Sequence, residues 1–227
     1  MSDIFNEINE DLRRDSAKRF WQRYGVYVII LAVLVVVGTA GWRLYEGWQA
    51  SEAAAAGDAY MEAIRVAEAG DHAGAATRLT ELAASSPGDY PMLARFRAAT
   101  ETAAAGDPAG ALAAFDALAA DTSVPAEYRD LARIRGAQIA LDLEDAAAIE
   151  ARVAALQTNP GPWRFAALEI AAIAAVRAED WEGARALLDQ ILQDPETPSD
   201  VGRRADMLMD LVIGAVGAVE PAPEAAP

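Results

Sequence analysis

The chain has no cysteine in 227 residues and a single histidine, His72. The first absence excludes a disulfide framework, a thiolate nucleophile and a cysteine-based metal site. The second excludes a multi-histidine metal centre, and any Ser-His-Asp triad would depend on His72. Aromatic residues make up only 7% of the sequence and thin out beyond residue 50, where alanine dominates. Few β-branched and aromatic residues with abundant alanine predict an all-α chain. Positive charge is also scarce: 19 Lys and Arg face 35 Asp and Glu, a net charge of −16. Residues 1–23 hold five of each sign, so the whole excess lies beyond residue 23. So acidic a surface repels phosphate backbones and anionic headgroups, and nucleic acid is not an expected partner.

One stretch has no charge at all. Residues 24–42 read YGVYVIILAVLVVVGTAGW. A helix of that length spans about 28 Å, close to the hydrocarbon thickness of a bilayer. A cleaved signal is shorter and follows a shorter leader, although Gly38–Ala40 faintly resembles a cleavage site. Length and the 23-residue leader favour a retained anchor. Five Lys and Arg precede the stretch (Arg13, Arg14, Lys18, Arg19, Arg23), whereas Arg43 follows it alone until Arg65. This imbalance predicts a cytoplasmic N-terminus and an exported bulk. Trp21 and Tyr24 on one side and Trp42 and Tyr45 on the other are expected at the membrane interface. In the leader, Ile4, Phe5, Ile8 and Leu12 recur at helical spacing after Ser2 or Asp3. They suit either a helix lying on the membrane surface or a dock for a cytoplasmic or membrane partner.

The exported part repeats. AGDHAGAATRL (69–79), AGDPAGALAAF (105–115), LEDAAAIEARV (143–153) and AEDWEGARALL (178–188) place Asp71, Asp107, Asp145 and Asp180 at intervals of 36, 38 and 35 residues. Such a period signals stacked helical hairpins. Gly70 and Gly106 are expected to end one helix in the left-handed conformation, and each Asp to cap the next. Ala75, Ala111 and Ala184 allow close helix approach, while Leu79, Phe115, Val153 and Leu188 belong in the core. Pro87, Pro125, Pro160 and Pro195 are expected to stop the second helices. The first helices are expected at 90–105, 126–142, 163–177 and 200–216.

The Gly-Asp-x-x-x-Ala spacing, followed by a large apolar residue and a proline, resembles the tetratricopeptide repeat. Gly70, Ala75, Leu79 and Pro87 keep its spacing. The first helices depart from it, with Arg95 and Arg133 where that family places a Trp and small residues such as Ala98 and Gly136 at its Leu and Gly positions. The expected architecture is a transmembrane helix followed by a tetratricopeptide-like solenoid of about four repeats. Its segments are a cytoplasmic amphipathic helix (1–23), an anchor with its interface (24–48), a periplasmic array (49–217) and a disordered Pro/Ala/Glu-rich tail (218–227).

The layout, with the leader NEINEDLRRDSAKRFWQRYG (6–25), is similar to the ancillary subunit of the bacterial Sec translocon. That resemblance implies an inner-membrane protein with a periplasmic docking domain linked to export and to periplasmic chaperones. The same architecture would also serve an accessory subunit of another inner-membrane complex, respiratory or envelope-assembling.

No reaction is expected. Phosphate-loop and EF-hand patterns are missing, and Glu144/Asp145 and Glu179/Asp180 sit where helix N-termini favour acids. No cofactor, metal or catalytic residue is assigned. The residues that stand out are Arg95 and Arg97 in LARFRAA and Arg133 and Arg135 in LARIRGA, 38 apart. Stacked on neighbouring first helices, they would grip a partner's carboxylate. The alternative is pairing within one helix, such as Arg97 with Glu101.

Overall fold

The computed structural model describes the backbone of residues 3–85 and 90–219, and the side chains of 18, 21–85 and 90–216. The expectations for Ser2, Pro87 and residues 220–227 lie outside the described residues, as do the side chains of Ile4, Phe5, Ile8 and Leu12. Among the described residues the chain is entirely helical: α1 (Asp3–Glu68), α2 (His72–Ser85), α3 (Tyr90–Ala104), α4 (Pro108–Ala120), α5 (Ala126–Ala140), α6 (Ala146–Thr158), α7 (Arg164–Arg177), α8 (Trp181–Gln193) and α9 (Ser199–Val219). Internal contacts divide it into two units, Met1–Ala55 and Ala56–Pro227.

The first unit consists of the N-terminal part of α1. Val26 to Val37 expose large apolar side chains on successive positions, so the helix is apolar all round. Such a helix has no single buried face, and hydrocarbon is the solvent that suits it. Within residues 21–68, α1 is long and apolar enough to cross a membrane.

The second unit opens with the end of α1, which supplies the first helix of a first hairpin. Ala56, Tyr60 and Ala63 pack against α2 and α3. The hairpins are therefore the end of α1 with α2, α3 with α4, α5 with α6, and α7 with α8, and α9 follows alone. Their cores are local. Ala99, Phe115, Leu118, Val124 and Ala132 join α3, α4 and α5. Ile149, Val153 and Ala171 join α6 to α7, and Leu168, Leu188, Ile191 and Val212 join α7, α8 and α9. This nearest-neighbour packing is that of a helical repeat array. Ala75, Ala111 and Ala184 are fully buried at the close approaches.

The helix starts behave as the repeat predicts. Asp71, Asp107, Asp145 and Asp180 each accept a hydrogen bond from the backbone N–H three residues on, at 2.8–3.0 Å. Three of those N–H groups belong to glycine. A Cβ at Gly110 would stand 2.2 Å from its capping carboxylate. Where Ala148 replaces the glycine, Asp145 avoids that clash by a different backbone, ψ 166° against 74° at Asp107. Gly70 and Gly106 adopt φ +92° and +91°. Asp71 and Asp107 then bond back to Val66 and Thr102 carbonyls, closing the helix ends.

Pro160 and Pro195 stop α6 and α8 as expected, each directly after an extended C-cap residue, Asn159 and Asp194, whereas Pro125 does not stop α4. α4, α6 and α8 end at Ala120, Thr158 and Gln193, before Pro125, Pro160 and Pro195. Pro125 instead starts α5, its carbonyl accepting from the N–H groups of Tyr128 and Arg129. Asp121 and Asp194 make two of the stops. Each turns extended and accepts at Oδ1 from the backbone N–H two residues on, Ser123 and Glu196. An Asx turn thus competes successfully with the next helical hydrogen bond.

Ion pairs at one-repeat spacing lace the hairpins together. Arg152 on α6 reaches Asp116 on α4 at 2.7 Å and clasps Glu144 through two bonds of 2.6 Å. Arg204 on α9 clasps Glu169 on α7 at 2.5 and 2.8 Å.

Candidate functional site: the groove of the first helices

Leu93, Phe96, Arg97 and Thr100 recur on α3 at helical spacing, and so do Tyr128, Leu131 and Arg135 on α5. Both stripes face one depression of ≈ 340 Å³, which Tyr60 of α1 and Phe115 of α4 also line. Phe96 forms its floor, with its ring 6.1 Å from Phe115 and 6.4 Å, edge-on, from Tyr128. A volume of this size suits one or two side chains rather than a whole domain surface.

The groove is basic in an acidic chain. Arg97 donates from Nε to Glu101 Oε1 at 2.5 Å, and Glu101 Oε2 lies 2.7 Å from His72 Nδ1. Glu101 is 2% exposed and is the one buried charged residue among the described residues. Arg97 is thereby held from behind while its head stays at the groove. Arg135 meets only an uncharged acceptor, Gln138 Oε1 at 3.3 Å, among the described residues. Its charge is left facing the groove, available to an anion.

The structure therefore brings together two of the four arginines singled out in the sequence, and it realises the Arg97–Glu101 pairing as well. Arg95 and Arg133 turn elsewhere. Arg95 Nη1 holds Asp121 at 2.7 Å, and Arg133 pairs with Asp130 beside a separate depression lined by Asp116 and Arg152. The reason is helical geometry, because residues two apart point about 200° away from each other. The Ser123 hydroxyl, Arg95 and the Ser123 N–H together hold the Asp121 carboxyl down at about 2. The Glu196 N–H and then Arg164 lower Asp194 in the same way. Arg152 lowers Glu144.

The aromatic floor is what sequence reading missed. Only eight aromatic residues follow residue 50, and four of them (Tyr60, Phe96, Phe115, Tyr128) line this one groove. In an alanine-rich background that scarcity was the available signal. Trp21, Tyr24, Trp42 and Tyr45, expected at a membrane interface, are all exposed on α1, on either side of the apolar run. No group of three or more His, Asp or Glu residues that could hold a metal occurs among the described residues.

The model of the tetratricopeptide repeat-like domain matches residues 18–159, well over half of the chain. The chain belongs to this family. Its match covers α1 from residue 18 onward, the apolar run included, and helices α2 to α6, and so the whole groove. No curated protein and no solved structure matches the chain. Tetratricopeptide-like architecture suggests a role in protein–protein interaction, and the groove of the first helices is one concave feature of this array.

Proposed function

We propose that the protein is a membrane-anchored scaffold whose tetratricopeptide-like array binds polypeptide through the groove of its first helices. The observation that carries this reading is the groove itself: aromatic floor, two guanidinium groups, and a buried carboxylate fixing one of them. A partner segment with an apolar or aromatic side chain next to an acidic one matches it in shape and charge. The protein acts by binding, not by reaction.

The apolar part of α1 is the anchor, with the N-terminus in the cytoplasm and the array in the periplasm of a bacterial inner membrane. The Lys/Arg imbalance across the apolar run supports that orientation. Confinement then raises the effective concentration of array and partner. The leader and layout favour the Sec translocon and periplasmic chaperones as the partners.

In vivo photo-crosslinking from Leu93 and Leu131, inside the groove, tests this. The expected products are Sec components, periplasmic chaperones or exported chains, at yields reduced by Arg135→Glu. Crosslinks confined to an unrelated membrane complex, or yields indifferent to Arg135→Glu, would overturn it.

A further inference from the structure

α9 is the last helix of the array among the described residues, and its outward face has no partner among them. Val201, Ala205 and Val212 are buried against α7 and α8. On the remaining surface Met207 is 64% exposed, Leu211 54% and Ile213 56%. A terminal repeat ordinarily presents a polar outer face for solubility. α9 does the opposite, and it is longer than its counterparts: 21 residues against 15, 15 and 14 in α3, α5 and α7. The added length is the uncharged GAVGAV (214–219).

The pattern on that face is self-complementary. Arg203, Met207, Asp210, Leu211 and Gly214 follow each other at helical spacing and are all exposed. Arg203 and Asp210 have no ion-pair partner among the described residues, whereas the adjacent Arg204 is committed to Glu169 and Asp200. Seven residues separate Arg203 and Asp210, about 10 Å along one helix, too far to pair within one chain. Two antiparallel α9 helices related by a two-fold axis between Asp206 and Met207 bring Arg203 of each opposite Asp210 of the other. α9 is also nearly neutral: Asp200, Asp206 and Asp210 against Arg203 and Arg204 leave −1 in a chain of −16. Two copies therefore meet here without the repulsion that their other surfaces impose.

We propose that the outward face of α9 is an isologous dimerisation surface whose occupant is α9 of a second copy of this chain. Its Met207 side chains meet beside the axis, flanked by two Arg203–Asp210 pairs. Closed two-fold symmetry is the arrangement such a self-complementary patch produces.

The natural absence of cysteine makes the test direct. Met207→Cys in the full chain, in mild detergent with a copper oxidant, is expected to form a disulfide-linked dimer. Ala151→Cys on the exposed face of α6 is expected not to. In the Met207→Cys background, Arg203→Asp and Asp210→Arg are each expected to cut the dimer yield several-fold, and the two together to restore it. Circular dichroism checks that each variant keeps its helix. A monomer of the Met207→Cys variant whose thiol resists alkylation would mean that the chain's own residues 220–227 cover the face. A monomer whose thiol reacts freely would leave the face to a foreign protein. Either result overturns the proposal, as does a dimer indifferent to the charge reversals.

Discussion

Glu101 accepts a hydrogen bond from Arg97 one turn earlier on α3, Nε to Oε1 at 2.5 Å, and is itself almost wholly buried. Its other oxygen meets His72 of the preceding hairpin at 2.7 Å. A carboxylate so placed ties the groove's cation to the repeat behind it. Glu101→Ala is expected to lower stability by about 1–2 kcal/mol, because its half-exposed partners can turn to water rather than remain buried and unpaired. Thermal unfolding of the full chain in detergent measures this. Photo-crosslinking at Leu93 should fall as well, since Arg97 loses its fixed position.

α7 closes with the same backbone as the ends of α1 and α3, but with Glu179 where they have Gly70 and Gly106. Glu179 sits at φ 58°, the one non-glycine positive φ among the described residues. Its neighbour Asp180 still bonds back to the Ala175 carbonyl at 2.9 Å. Glu179→Gly is expected to stabilise the array by about 0.5–1 kcal/mol, the left-handed strain removed less the added chain entropy. Gly106→Ala should cost about 1 kcal/mol by the same argument reversed. Paired melts of the two variants check both signs.

Asp121 is held at about 2 by Ser123 and Arg95. A depressed carboxyl contributes stability that is complete above its unfolded value, near 4, and is lost as pH falls through its folded one. Unfolding followed from pH 5 to pH 2 should therefore show wild type losing stability more steeply than Asp121→Asn below about pH 4. Above that range the two curves should run parallel. Asp121→Asn should be the less stable there, because it keeps an acceptor for the Asx turn but not the charge opposite Arg95. Equal slopes across the acid range would contradict the assignment.

The exposed apolar run of α1 makes a membrane prediction. Leu34→Arg puts a charge midway between Trp21 and Trp48, at a cost of about 2.5–3.5 kcal/mol for a helix centre in hydrocarbon. The variant should shift towards the alkaline-extractable fraction, whereas Leu34→Phe should stay with the membrane. Retention of both would show that this helix is not the anchor.

Periodic features were legible in the sequence because they depend on neighbours within one turn. The four capping aspartates, the glycines after α1 and α3, and the buried Leu79, Phe115, Val153 and Leu188 each follow from a local rule. The end of α4 is the stop that departs from the local signal. Proline is a strong local signal and marks the ends of α6 and α8, but Asp121 closes α4 before Pro125 is reached, partly through Arg95 from the preceding helix. The arginine pairs were visible as types and not as a site. Residues two apart on a helix cannot share a groove, so one of each pair had to leave.

Composition and spacing alone determined an all-α chain, a helix apolar enough for a bilayer, and a stacked hairpin array with an acidic surface. These depend on hydrophobic period and charge, which need no knowledge of distant contacts. Only the tertiary structure decided which face of each first helix lines a groove and that the end of α1 completes the first hairpin. It also decided that α9 leaves its apolar face uncovered among the described residues. Those outcomes depend on which surfaces neighbouring repeats bury. That is settled by packing between residues some 35 positions apart, beyond the reach of any local pattern.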